Sequence, residues 1–221
     1  MTTRLKRWTS RVAVLVVLLC GFSTASFSQQ LETVNQYRMG FEMDWSLVKG
    51  LKMSVEPQLR FGEKFKLENY NLDVGLRYKA YDFIYVSGTY RLIVDPNDEQ
   101  PALTDHRYDF SVTARDKFGR FTPSFRIMYS NYIDEDITDE QFMKYRAMVK
   151  YDIPDCKITP YLSAELVQEL DEGLIYKQRY AAGADYKVKK NRYLNLEYKL
   201  DYYSLKYKNR HIFSLGYKFN F

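Results

Sequence analysis

Six arginines, Arg60, Arg91, Arg107, Arg126, Arg146 and Arg179, share the chain with the carboxylates Glu56, Asp109 and Glu165. Guanidinium forks bind carboxylates bidentately and keep their charge when buried, so such a set can staple a protein interior. Left in excess, the same forks would favour small anions or phosphate-bearing groups. His106, flanked by Asp105 and Asp109, is a second candidate, because a His–Asp dyad is an acid–base unit. No His-x-Ser pair accompanies it: Phe213 stands two places after His211, the other histidine, and no nucleophile motif is visible. A third set is the acidic run Asp134, Glu135, Asp136, Asp139 and Glu140. Its oxygens suit a hard divalent cation, but it lacks the EF-hand glycine, and a solvated loop is the simpler expectation. Nothing in the chain calls for a cofactor or a metal.

The elements that must position these residues repeat with a period of two. Tyr37, Met39, Phe41, Met43, Trp45 and Leu47 interleave with Arg38, Gly40, Glu42, Asp44 and Ser46. The alternation continues through 51–61, 70–78, 84–94, 107–115, 121–129, 143–151, 158–167, 179–188, 194–202 and 211–221, giving eleven segments with one apolar and one polar face. Their length matches the roughly 9–11 residues a tilted strand needs to cross a bilayer. The polar face carries full charges, Arg38, Lys52, Arg60, Arg77, Arg91, Arg126, Glu165, Arg179 and Glu197 among them. Burying those between two sheets would be costly; turned to a barrel lumen they are accommodated. Tyr37, Trp45, Tyr70, Tyr78, Tyr145, Tyr151, Tyr202 and Tyr217 lie on the apolar face and suggest two interfacial girdles. A soluble barrel with its polar face outward would show the same period.

The chain has 221 residues and a formal charge of +5, which invites a nucleic-acid reading. That reading fails. Arg4, Lys6, Arg7 and Arg11 precede an apolar stretch from Val12 to Phe22, and Ser26 and Ser28 prepare a cleavage before Gln29. This is the pattern of a secretory signal peptide over residues 1–28, with a single domain in 29–221. Removing the four bases from 33 leaves 29 against 28 acids, a net charge of +1. Cys156 is then the sole cysteine, so no intrachain disulfide is expected.

The end of the chain separates a membrane barrel from a soluble one. Ser214, Gly216, Phe219 and Phe221 have the polar-x-Gly-x-x-aromatic-x-aromatic spacing of an outer-membrane assembly signal, the kind of strand read by β-augmentation. Short connections fall at 48–50, 79–82, 116–119, 152–157 and 189–192, and longer ones at 62–68, 95–105, 131–140, 170–176 and 203–209. Short turns belong to the periplasm and long loops to the outside. The expectation is an all-β, antiparallel, up-and-down transmembrane barrel of ten to twelve strands. Twelve is favoured, because bacterial barrels use even numbers, with residues 29–36 supplying the twelfth. Pro57, lacking an amide donor inside a closed wall, predicts a bulge.

Several phrases resemble the family of outer-membrane proteins catalogued as domain of unknown function 2490: Trp45-Ser-Leu, Pro57-Gln-Leu-Arg60, Val74-Gly-Leu-Arg-Tyr78, Gly88-Thr-Tyr-Arg91, His106-Arg107, Ser124-Phe-Arg126, Lys144-Tyr-Arg146, Pro160-Tyr-Leu-Ser-Ala-Glu165 and Gln178-Arg179. Their order, over residues 36–221, carries the resemblance. It implies a bacterial outer-membrane barrel and no assigned activity. With the strand directions above, the nine charged residues of the first set face the lumen, the arginines toward its outer half. The expected role is structural, or a narrow passive channel for small, anion-leaning solutes. The alternative is a rim enzyme, a lipid hydrolase or protease, using His106 with Asp105 or Asp109. Expected partners are outer-membrane lipid and lipopolysaccharide, with the barrel assembly machinery and periplasmic chaperones during biogenesis, and no nucleic acid.

Overall fold

The computed structural model describes residues 33–96, 103–133, 140–204 and 208–221. The expected leader, 1–28, and Asp134, Glu135, Asp136 and Asp139 of the acidic run lie outside the described residues; Glu140 opens a strand. Eleven strands follow one another: β1 (Thr33–Val48), β2 (Leu51–Phe61), β3 (Leu67–Lys79), β4 (Ile84–Asp95), β5 (Leu103–Arg115), β6 (Phe121–Ile133), β7 (Glu140–Tyr151), β8 (Ile158–Glu169), β9 (Ile175–Lys189), β10 (Arg192–Tyr203) and β11 (Asn209–Asn220). Each pairs with its sequence neighbours, and β1 closes the barrel against β11. The five short connections share one end with Phe221, hereafter the turn end. The opposite ends of the strands, with Thr33, form the loop end. In the tight Lys49-Gly50 turn, Gly50 takes φ +87°, where a side chain would be strained.

Among the described residues the strand number is odd, eleven, and the favoured twelfth strand is not seen. Residues 33–36 instead begin β1 itself, a 16-residue strand. With eleven strands the first and last run the same way, so closure is parallel, from Thr33↔Asn209 to Asp44↔Asn220. A parallel ladder is slightly weaker per residue than an antiparallel one, but it leaves no free edge. Pro57 also departs from expectation. Register runs unbroken through it, Pro57 facing Leu72 on β3, and on the β1 side the ladder skips from Gly40↔Gln58 to Met43↔Val55. The missing donor is absorbed as a gap in one ladder, without a bulge. Bulges fall elsewhere, at Ser46/Val48, Arg60/Phe61, Val167/Gln168 and Arg192/Tyr193.

The two faces of the wall differ sharply in polarity. Leu162, Phe110 and Leu196 project outward and are 62%, 60% and 58% exposed, while Asp201, Asp109 and Asp44 point inward and are 1%, 3% and 4% exposed. A soluble barrel would reverse that arrangement. Aromatic pairs gather toward both ends of the outer wall: Trp45 on Phe221 (5.1 Å) and Phe121 on Tyr151 (4.9 Å) at the turn end, Tyr37 on Phe65 (4.5 Å) and on Phe213 (5.6 Å) at the loop end. Tyr145 does not belong to either group; in register with Ile127 and Leu166, it sits midway along β7. Cys156 is exposed in the 152–157 turn, where its Sγ accepts the Ile158 amide at 3.4 Å.

Inside the wall, close packing is set by a glycine. Tyr161 faces Gly183 in register, and a Cβ there would lie 2.6 Å from the Tyr161 ring and 2.7 Å from the Leu196 carbonyl oxygen. Gly183→Ala is expected to cost about 1–3 kcal/mol by overpacking. The midpoint of urea unfolding, followed by the heat-modifiable mobility of the folded barrel, measures it.

Candidate functional site: a charged and aromatic lumen

Strand alternation brings the predicted lumen residues onto the inner wall, in two rows. Across β6 to β10, Arg126, Arg146, Glu165, Arg179 and Asp201 stand directly opposite one another in successive registers. Across β2 to β5 the order is Glu56, Asp73, Arg91 and Arg107. Like charges opposite one another destabilise a sheet, so Arg126 beside Arg146 requires acid partners. They are there. Glu165 takes Arg126 at 3.1 Å and Arg179 at 3.6 Å, and Asp201 receives Arg179 through two bonds of 2.6 and 2.7 Å and Lys177 at 3.3 Å. Arg146 reaches Glu197 at 3.9 Å, from β7 across β8 and β9 to β10, and Glu197 also pairs with Lys199 at 2.6 Å. Side chains therefore interlock across the interior as well as along the wall.

In the second row Arg91 grips both carboxylate oxygens of Asp73, through Nε and Nη2. Arg107 pairs with Asp109 at 2.8 Å, and Asp109 also accepts the Ser130 hydroxyl. Glu56 lies over Gly40 and makes no ion pair among the described residues. Nor do Arg38 and Arg60, which face each other across β1 and β2. Amides hold them instead: Arg38 donates to Gln36 at 2.7 Å, and Arg60 to Gln58 at 2.9 Å and to Asn71 at 2.8 Å once that amide is turned to accept. The arginines are not confined to the outer half of the lumen, since Arg126 and Arg146 sit midway along their strands.

A second feature escaped the sequence reading. Toward the loop end Tyr132, Phe142, Tyr176 and Tyr203 form a chain of ring contacts at 5.7, 5.1 and 5.5 Å. Phe142 is buried, as are the neighbouring inward side chains Val167 and Ile212. Cations cover the rings, Lys144 over Tyr132 at 5.4 Å, Lys177 over Tyr203 at 5.2 Å and Arg107 over Tyr132 at 5.3 Å. Tyr132, Phe142 and Tyr203 occupy the polar phase of their strands, which was a legible signal. Tyr176 is the extra residue of the bulge opposite Val167/Gln168, where counting by twos fails.

The rim histidines are placed differently from the dyad reading. His106 faces outward, its Nδ1 2.7 Å from the Tyr90 hydroxyl and its ring stacked on Tyr90, while Asp105 and Asp109 alternate onto the inner face. His211 repeats the arrangement with Tyr198 at 2.6 Å. The alternation of β5 thus separates His106 from both flanking carboxylates.

The phrase expected to act in assembly takes up the last half of β11 and ends one residue beyond it, at Phe221. Ser214 and Gly216 point inward, and Phe219 lies outward beneath Arg192, whose guanidinium is 5.1 Å from its ring. A family model described as "Protein of unknown function (DUF2490)" matches residues 35–211, which takes in β1 to β10 and the start of β11. The chain belongs to the DUF2490 family. No curated protein matches it. Within this DUF2490 barrel the match covers every arginine, carboxylate and ring of the lumen described above.

Proposed function

We propose that this DUF2490 protein is exported by its leader and resides in the bacterial outer membrane as a structural barrel, closed by its own side chains to all but the smallest solutes. The inversion of its faces carries the reading: an apolar exterior needs a hydrocarbon solvent, and the ion-paired interior needs shielding from it. Outer-membrane lipid and lipopolysaccharide are its surroundings, and the Ser214–Phe221 phrase is its handle for the barrel assembly machinery. The crossing pairs, Arg146 with Glu197 above all, favour filling over conduction. A narrow anion-leaning path is the second reading, favoured by Arg38 and Arg60, whose partners among the described residues are amides.

Planar-bilayer recording of the purified, folded barrel separates the two. Filling predicts no resolved unitary current in molar potassium chloride. Small anion-selective steps that vanish in Arg38→Gln/Arg60→Gln would establish the second reading, and large unselective steps would contradict both.

A further inference from the structure

At the turn end the inner wall opens into a cavity of about 590 Å³, lined by Ser46, Val48, Lys49, Lys52, Arg77, Lys79, Tyr85 and Arg115. Five of these carry positive charge and none carries negative charge. Lys79 is tied to Asp82 at 2.9 Å, and Arg115 lies over the Tyr85 ring at 4.6 Å, which fixes its guanidinium. Lys52 and Arg77 stand directly opposite each other in the β2–β3 register, and neither makes an ion pair among the described residues. Other bases in this part of the lumen find acids: Lys150 takes Asp185 at 2.6 Å, and Lys218 takes Glu42 and Asp44 at 2.6 and 2.8 Å. The β1 acids Glu42 and Asp44 are thus taken up by Lys218, and no acid stands among the residues that line the cavity.

We propose that this vestibule is a binding site for a small, soluble, multiply charged phosphate compound. Opposed like charges repel, and an oxyanion seated between Lys52 and Arg77 converts that repulsion into two charge-assisted contacts. Arg77 supplies a planar fork for phosphate oxygens, Arg115 a second fork held in place by Tyr85, and Lys52 and Lys49 mobile point charges. The volume suits a phosphorylated small molecule more than a lone ion. Lys52, Arg77 and Arg115 project from the inner face, so a lipid headgroup beside the outer wall would not reach them. The site does not depend on whether the lumen conducts.

Titration of the full-length, detergent-folded barrel with inorganic pyrophosphate tests this by calorimetry. The expected result is saturable 1:1 binding that weakens with salt and falls at least tenfold in Arg77→Gln and in Lys52→Gln. Lys117→Gln, on a rim base paired with Asp152, leaves it unchanged. Absence of saturable binding overturns the proposal, as does an equal loss in Lys117→Gln, which would mean a diffuse field. Loss in Arg60→Gln with retention in Arg77→Gln would move the anion to the loop-end arginines. Competition by short-chain phosphatidylglycerol would assign the chemistry to lipid. Should the vestibule variants not fold, wild-type protein decides: pyrophosphate must protect Lys52 from an amine-acylating reagent, and equal labelling with and without it rejects the site.

Discussion

Replacing Asp201 with alanine is expected to destabilise the folded barrel by about 3–5 kcal/mol, the range for breaking a buried ion pair from one side. Asp201 is 1% exposed and neutralises both Arg179 and Lys177, so its removal leaves two buried cations with only Glu165 near the first. Asp201→Asn keeps an acceptor for Arg179 but not the charge, and should fall between wild type and alanine. The exposed Lys79–Asp82 pair at the turn end supplies the contrast: Asp82→Ala should leave the unfolding midpoint unchanged, because solvent screens that contact. Urea unfolding in micelles measures all three. A loss below about 1 kcal/mol for Asp201→Ala would place the lattice in a lumen wet enough to solvate its ions.

The second large effect belongs to the outer wall. Leu196, in register between Ala184 and Leu215, lies near the middle of β10 and is 58% exposed. Leu196→Arg in water would fall within about 0.5 kcal/mol, as surface substitutions do. Facing hydrocarbon, it should cost about 2–4 kcal/mol, the penalty for a cation near the bilayer midplane. Equilibrium refolding into phospholipid vesicles reads the difference. Glu197→Arg, one residue along and facing inward, disrupts the Arg146 and Lys199 pairs instead, so the two neighbours fail for opposite reasons.

The period-two pattern made the wall legible because each strand is long and its phases differ sharply in polarity. Arg91, Arg107, Glu165 and Arg179 could therefore be placed on the inner face before any contact was known. Which carboxylate each arginine meets was not legible. Asp73 and Asp201 share the inward phase with many other polar residues, and only register and strand tilt bring them into reach. The odd closure was hidden because the partner of Thr33 is Asn209, almost the whole chain away, and alternation says nothing about parallel pairing. The aromatic cluster was missed because the alternating segments 121–129, 143–151 and 194–202 stop short of Tyr132, Phe142 and Tyr203, which the strands of the barrel include. The vestibule depended on knowing that Lys52 and Arg77 are opposed and that no acid is among the residues lining their cavity.

The inverted wall is the central claim, and Trp45 reports on it directly. It faces outward at the turn end against Phe221, and with Trp8 replaced by Phe it is the sole tryptophan of the chain. Refolded into vesicles of phospholipids brominated near the headgroup end of the acyl chain, Trp45 should be strongly quenched and shielded from aqueous iodide. Full emission in brominated lipid together with free quenching by iodide would contradict a lipid-facing wall.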